Sequence, residues 1–201
     1  MITTGPFAGL PRRAFGAIFA DPPWSFQART PPRQDRGRRD TARHYPVMAL
    51  AEIAALPVPV LAARDAHLFL WTSGPFLAHA LTVIEAWNFR FTTVAMTWVK
   101  LKRKREAGPW TERDLHLGLG LTFRKNSELV LLARKGSPRR LARDVPEVIL
   151  APVREHSRKP DEAYSRVRRY CGGPYLELFA REQRLGWSSW GNEPDKFTCL
   201  D

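Results

Sequence analysis

Short apolar runs alternate with segments of helical spacing along the whole of this 201-residue chain, and that alternation constrains the fold more than any other feature. It is the pattern of an α/β sandwich, a sheet covered by helices. Residues 15–20 (Phe-Gly-Ala-Ile-Phe-Ala) read as a buried strand that ends at Asp21. Further strands are expected at 67–71 (His-Leu-Phe-Leu-Trp), 91–100, 127–134, 147–153 and 175–179. Helices are expected at 48–56 and 74–87, the second with Phe76, Leu77, Leu81 and Ile84 at helical spacing. A third is expected over 160–170, where Pro160 precedes Asp161 and Glu162, a helix-start pattern. Two stretches break the alternation, at 27–43 and 101–126, and are expected to be mobile basic loops. With no internal repeat and no linker, the chain reads as a single domain over 1–201, long enough for a substantial core.

Charge narrows the partners. Lys and Arg number 32 against 20 Asp and Glu, a formal net charge of +12. Codon usage can substitute Arg for Lys, but it does not explain an excess of cations over anions. Such a surplus favours polyanions, nucleic acid first and an anionic membrane second. Arg29, Arg33, Arg36, Arg38, Arg39 and Arg43 follow the first strand, and Lys102, Arg103, Lys104 and Arg105 follow the third. Loops leaving one sheet edge can set these clusters around a pocket, as a rim that binds phosphates with little sequence readout. A third cluster, at 134–143, reads more readily as a solvated face.

Cys171 and Cys199 show neither metal spacing nor a disulfide framework, so no metal is expected and a reducing cytoplasm suits them. A signal peptide and an apolar run of about 18 residues are both missing, so no membrane association is expected. No Gly-x-Gly-x-x-Gly turn, Walker loop, zinc spacing or nucleophile elbow appears, which argues against a dinucleotide-dependent oxidoreductase and related classes.

The sharpest motif is Asp21-Pro22-Pro23-Trp24, directly after the first strand. An aromatic amine such as the N6 of adenine is a poor nucleophile, because its lone pair is delocalised into the ring. A carboxylate and a backbone carbonyl accepting its two N–H bonds localise that lone pair. Asp21 can supply the first and Pro22 the second, with the prolines restricting the backbone. Trp24 offers a face on which a base can stack. Asp-Pro-Pro is equally a good turn sequence, and a Trp after it can cap a core.

The tetrapeptide resembles the signature of the adenine-N6 methyltransferases of the MT-A70 family. His67-Leu68-Phe69-Leu70-Trp71 is similar to the family's next strand, and Thr97-Trp98-Val99-Lys100 to the one after it. His156-Ser157-Arg158-Lys159-Pro160 resembles its H-S-x-K-P block, Glu177-Leu178-Phe179-Ala180-Arg181 its E-L-F-G-R strand end, and Gly191-Asn192 its closing G-N element. The matches keep the family's order over nearly the whole chain.

The resemblance implies a Rossmann-like methyltransferase fold: a single open mixed sheet of about seven strands flanked by helices, in permuted order with the catalytic strand before the cofactor strand. It implies S-adenosyl-L-methionine as cofactor. Asp21, Pro22, Pro23 and Trp24 would be catalytic, with Asp21 also facing the methionine end of the cofactor. Lys159 would bind the cofactor's carboxylate. Glu177, Phe179 and Arg181 would surround its ribose and adenine, with Gln183, Asn192 and Glu193 completing the site. The implied activity is methylation of adenine N6 in nucleic acid, DNA favoured over RNA, with a homodimer or a partner subunit as further options. The alternatives are an RNA adenosine N6-methyltransferase and a non-catalytic nucleic-acid-binding subunit, although the Asp-Pro-Pro-Trp motif is intact. A duplex target would need its adenine flipped out of the stack. The chain departs from the family pattern at Ala180, where glycine is expected, and at Glu182-Gln183, where larger members often carry Pro-His-Asn.

Overall fold

A computed structural model of the chain describes residues 1–25, 47–104, 109–118, 123–155 and 157–197. The loop expected at 27–43 and part of the one at 101–126 lie outside the described residues. The described part contains seven strands: β1 Phe15–Ala20, β2 Ala62–Thr72, β3 Arg90–Leu101, β4 Ser127–Lys135, β5 Val148–Pro152, β6 Tyr175–Leu178 and β7 Trp187–Trp190. Three helices accompany them, α1 Leu50–Ala54, α2 Leu77–Ala86 and α3 Asp161–Tyr170. Every expected strand and helix is present within a few residues of its predicted place. β7 is the addition. Its Trp-Ser-Ser-Trp sequence offers no apolar run, and its strand character comes from pairing with β6.

The strands form one sheet in the order β5-β3-β4-β2-β1-β6-β7. β4 runs against both neighbours, β2 and β3, while the other pairings are parallel. The carboxyl ends of the parallel strands therefore share one edge of the sheet, and the start of β4 joins them there. That is the edge where open α/β sheets bind ligands. β1 is covered on both faces, which explains why its sequence is apolar without alternation.

Two cores result. Ile53 of α1 and Ala80, Val83 and Ile84 of α2 pack on Ile18, Leu68, Leu70, Leu131 and Leu176. On the opposite face, Ala163, Tyr164 and Val167 of α3 pack on Phe19, Phe69, Trp71, Trp98 and Ile149. Pro160 sits at the N-cap of α3 and the acids Asp161 and Glu162 fill its first turn, where they favour the helix dipole. No helix among the described residues is long and apolar enough to cross a membrane.

The β6 and β7 ends are joined by a close backbone crossing. Ala180 donates its N–H to the Trp190 carbonyl at 2.9 Å. A Cβ on Gly191 would lie 2.5 Å from the Ala180 oxygen and 2.7 Å from its nitrogen. The position that must stay bare is thus Gly191, and the alanine at 180 is accommodated, fully buried. Gly191→Ala is expected to lower stability by about 1–3 kcal/mol, through backbone displacement in a packed region. Thermal or urea unfolding of the two proteins measures this directly.

Candidate active site

β1 delivers Asp21 to the shared strand edge, where its N–H reaches the Leu178 carbonyl at 3.4 Å. Asp21 Oδ2 lies 3.1 Å from Lys159 Nζ, and Lys159 Nζ lies 2.9 Å from Glu128 Oε2. Glu128 in turn holds Lys100 at 2.5 Å. The result is a chain of alternating charge, Asp21–Lys159–Glu128–Lys100, drawn from β1, the turn before α3, β4 and β3. Two indoles support it, with Lys159 Nζ 4.9 Å from the Trp71 ring centroid and Lys100 Nζ 4.8 Å from that of Trp98.

The Lys159 side chain is only 11% exposed, so an unpaired ammonium there would be costly. Burial lowers its pKa, but the charges of Asp21 and Glu128 outweigh that and raise it. Burial pushes the Glu128 carboxyl up, and the ammonium groups of Lys159 and Lys100 overcome this and pull it down to about 2. Both members of the pair are therefore charged at neutral pH.

The Asp-Pro-Pro-Trp turn is tied on both sides. The Pro22 carbonyl accepts the Trp24 N–H at 2.8 Å, and the Pro23 carbonyl accepts the Met48 N–H at 3.0 Å. A carbonyl oxygen has two lone pairs, so Pro22 can still accept one further donor. The Trp24 indole donates to the Trp71 carbonyl at 3.2 Å and stacks on Phe76, centroids 5.8 Å apart and 17° between planes. One face of Trp24 is therefore occupied by its own fold, and a base could stack only on the other.

A cleft beside Asp21 is lined by Lys159, Tyr164, Glu177, Phe179, Arg181, Ser157, Arg158, Glu182 and Phe197. Glu177, in β6, is 7% exposed. Tyr164 donates its hydroxyl to Glu177 Oε1 at 2.7 Å, while Oε2 is buried and has no hydrogen-bond partner among the described residues. Burial raises the Glu177 carboxyl to about 7, against the lowering effect of the Tyr164 hydroxyl. Tyr164 itself lies beneath the Arg184 guanidinium, 3.8 Å from its ring centroid, and Arg184 pairs with Asp161 and Glu182. Phe179 takes a positive φ of 63° and meets Trp190 edge-on at 5.4 Å.

Of the residues expected from sequence, Asp21, Lys159, Glu177, Phe179 and Arg181 converge on this cleft. Gln183, Asn192 and Glu193 lie outside its lining. Gln183 is bonded to Asp195 at 2.7 Å, Glu193 to Lys196 at 2.7 Å, and Asn192 is exposed. Lys102, Arg103 and Lys104 are exposed after β3, with Arg103 paired to Glu155 at 3.1 Å. Arg29, Arg33, Arg36, Arg38, Arg39, Arg43 and Arg105 lie outside the described residues. No group of acids, histidines and cysteines suited to a metal occurs among the described residues.

Sequence reasoning missed Glu128, Lys100 as its partner, and Tyr164. The one available signal for Tyr164 was its place on the apolar stripe of α3 with Ala163 and Val167. Glu128 carried none, because an acid at a strand start is usually solvated.

Glu177 makes a stability prediction. Its pKa rises from 4.5 to about 7 on folding, so the folded state holds a proton that the unfolded state releases across that interval. Its protonated form stabilises fully below about pH 4.5, and that contribution is lost as pH rises through 7. Glu177→Gln, which stays neutral, should exceed the wild type in stability by about 1–3 kcal/mol above pH 8, with the difference vanishing near pH 4. Unfolding curves across this range check it.

Known proteins resemble this chain over most of its length. The MT-A70 family model matches residues 15–193. The type II methyltransferase M.MunI of Mycoplasma sp. is 32% identical over 206 residues, covering 94% of this chain and 82% of that protein. A putative N(6)-adenosine-methyltransferase MT-A70-like of Medicago truncatula is 32% identical, over 93% of this chain and 28% of its own length. The human N(6)-adenosine-methyltransferase catalytic subunit METTL3 is 28% identical, over 93% of this chain and 29% of its own. The chain thus spans under a third of these two adenosine methyltransferases and most of M.MunI.

Proposed function

We propose, for a chain that belongs to the MT-A70 family, that it transfers a methyl group from S-adenosylmethionine to the N6 amino nitrogen of adenine in DNA. The observation that carries this reading is Asp21, held at the strand edge by Lys159 next to a cleft with a buried carboxylate oxygen that has no partner among the described residues. DNA is chosen over RNA because the type II methyltransferase is matched over most of its length, whereas the relatives named for adenosine, a ribonucleoside, contain the chain as a minor part.

The cleft suits the cofactor's functional groups. Glu177 Oε2 is an acceptor without a donor among the described residues, which a ribose hydroxyl would supply. Lys159 has three N–H donors, of which Asp21 and Glu128 engage two, leaving one for a carboxylate. Phe179 and Arg181 complete the wall. Gln183, Asn192 and Glu193 belong to the proposed cofactor side on family resemblance alone. When bound, S-adenosylmethionine supplies an electrophilic methyl group on a sulfonium.

Asp21 and Pro22 prepare the nucleophile. With Oδ2 held by Lys159, Asp21 Oδ1 accepts one N–H of the amine, and the remaining lone pair of the Pro22 carbonyl accepts the other. This keeps the nitrogen lone pair out of the ring and aims it. Asp21 Oδ1 would then take the surplus proton once the N–C bond has formed and the methyl–sulfur bond has broken, its electron pair staying on the sulfur. Trp24 holds the base on the face that Phe76 does not occupy. Positioning and preorganised charge supply most of the acceleration.

Incubation with radiolabelled cofactor and matched single-stranded DNA, duplex DNA and RNA, followed by digestion to nucleosides, tests the proposal. Label should appear in N6-methyladenine, in DNA above RNA. Asp21→Asn should lower kcat by about 100- to 1000-fold. Label in RNA alone would replace DNA as the substrate. Cofactor binding with no label in any polymer would favour a non-catalytic nucleic-acid-binding subunit.

A further inference from the structure

The reversal of β4 places its last residues, Arg134 and Lys135, at the sheet edge opposite Asp21. A strand of 9 residues spans about 27 Å, so this far edge is remote from the catalytic chemistry. An open cavity there is lined by Asn88, Phe89, Arg90, Arg134, Lys135, Gly136 and Ser137.

Strand register puts Arg90 of β3 directly opposite Arg134 of β4. Residues so paired project to the same face with Cβ atoms about 5 Å apart, and like charges there destabilise a sheet. On its other side Arg134 pairs in register with His67. Burial drives the His67 imidazole down to about 4, so this neighbour is neutral and gives no relief. Neither arginine has an ion pair among the described residues. Elsewhere the chain does pair its arginines, as with Arg154, Arg158, Arg169 and Arg184.

The nearby acid, Asp65, is already engaged, accepting the Ser137 N–H at 2.6 Å. Its contact requires Gly136, which has a φ of 65° and whose Cβ would collide with Asp65 Oδ1 and the Arg64 carbonyl. The turn after β4 therefore ties Asp65 Oδ1 to the backbone, and Asp65 forms no ion pair with either arginine among the described residues. Two adjacent guanidinium groups match the oxygens of a single phosphate, each able to bind in bidentate fashion.

We infer that Arg90 and Arg134 form a phosphate-binding site, which holds a phosphodiester of the nucleic-acid substrate far from the target adenine. The inference rests on the nucleic-acid methyltransferase reading and extends it to how the polymer is gripped. At 3.4 Å per base pair, about 27 Å corresponds to roughly 8 base pairs, so the contact lies outside the target nucleotide's own phosphates. An anchor of this kind binds ground state and transition state alike, so it acts on KM and leaves kcat alone.

The test compares wild type with Arg90→Gln/Arg134→Gln, using a fluorescent duplex of roughly 30 base pairs and a short one of roughly 6. For the long duplex the variant should bind several-fold more weakly, and its log K against log salt slope should shrink by about 1. KM should rise by a similar factor, with kcat at saturation and binding of the short duplex unchanged. In phosphate-free buffer the variant should melt no lower than wild type, because the cationic repulsion is gone. Arg90→Gln alone, at an exposed position, serves if the double variant does not fold. Unchanged slope and KM, in a wild type that binds and methylates, would overturn the site. So would inorganic phosphate that raises the wild-type Tm but not the variant's while their DNA affinities stay equal, since that identifies a free-anion site. A wild type that neither binds nor methylates nucleic acid would instead defeat the functional reading itself.

Discussion

One ammonium group organises the catalytic edge. Lys159 Nζ is shared by Asp21 at 3.1 Å and Glu128 at 2.9 Å, in surroundings too dry for any of the three charges to stand alone. Removing a carboxylate leaves the cation undercompensated, and removing the cation leaves two acids facing each other. Lys100 closes the series against Glu128, so four charges from separate elements balance. The geometry of Asp21 is thus an outcome of the whole constellation, with the proline turn supplying stiffness and the ion pairs supplying direction.

That constellation exists because β4 is reversed. A parallel β4 would have sent its amino end, and Glu128 with it, to the opposite edge of the sheet. The reversal also carries Arg134 to the far edge, beside Arg90. Among the described residues, one strand therefore presents a compensated charge at its start and an uncompensated one at its end. The contrast agrees with a division of labour in which the catalytic edge has preorganised polarity and the far edge has unspent attraction for phosphate.

The cofactor side follows a different logic. Glu177 is buried with one oxygen satisfied by Tyr164 and the other unpartnered among the described residues. A polar group left in that state lowers stability, and sites that bind polar ligands accept such a cost. Arg184, stacked on Tyr164 and paired with Asp161 and Glu182, secures the helix face from which the Tyr164 hydroxyl reaches across to β6.

Much of this was legible in the chain before any coordinates. Unbroken apolar runs such as Phe15–Ala20 are too short for most helices and read as strands covered on both faces, and Pro160-Asp161-Glu162 reads as a helix start, so most elements and their order were legible locally. The Asp21–Trp24 turn and Lys159 were readable because their residue types are unusual where they stand. β7 was not, since Trp187-Ser-Ser-Trp190 has no pattern of its own until β6 lies beside it. Glu128, Tyr164 and the Arg90–Arg134 pairing were equally silent. Their meaning depends on strand direction and register, which local sequence does not encode. Sequence by itself determined all but one of the strands, the helices, and the motif residues able to do chemistry. Tertiary structure decided which of them meet, because a charge takes its partner and its solvation from neighbours in space, and strand direction decides at which edge of the sheet those neighbours stand.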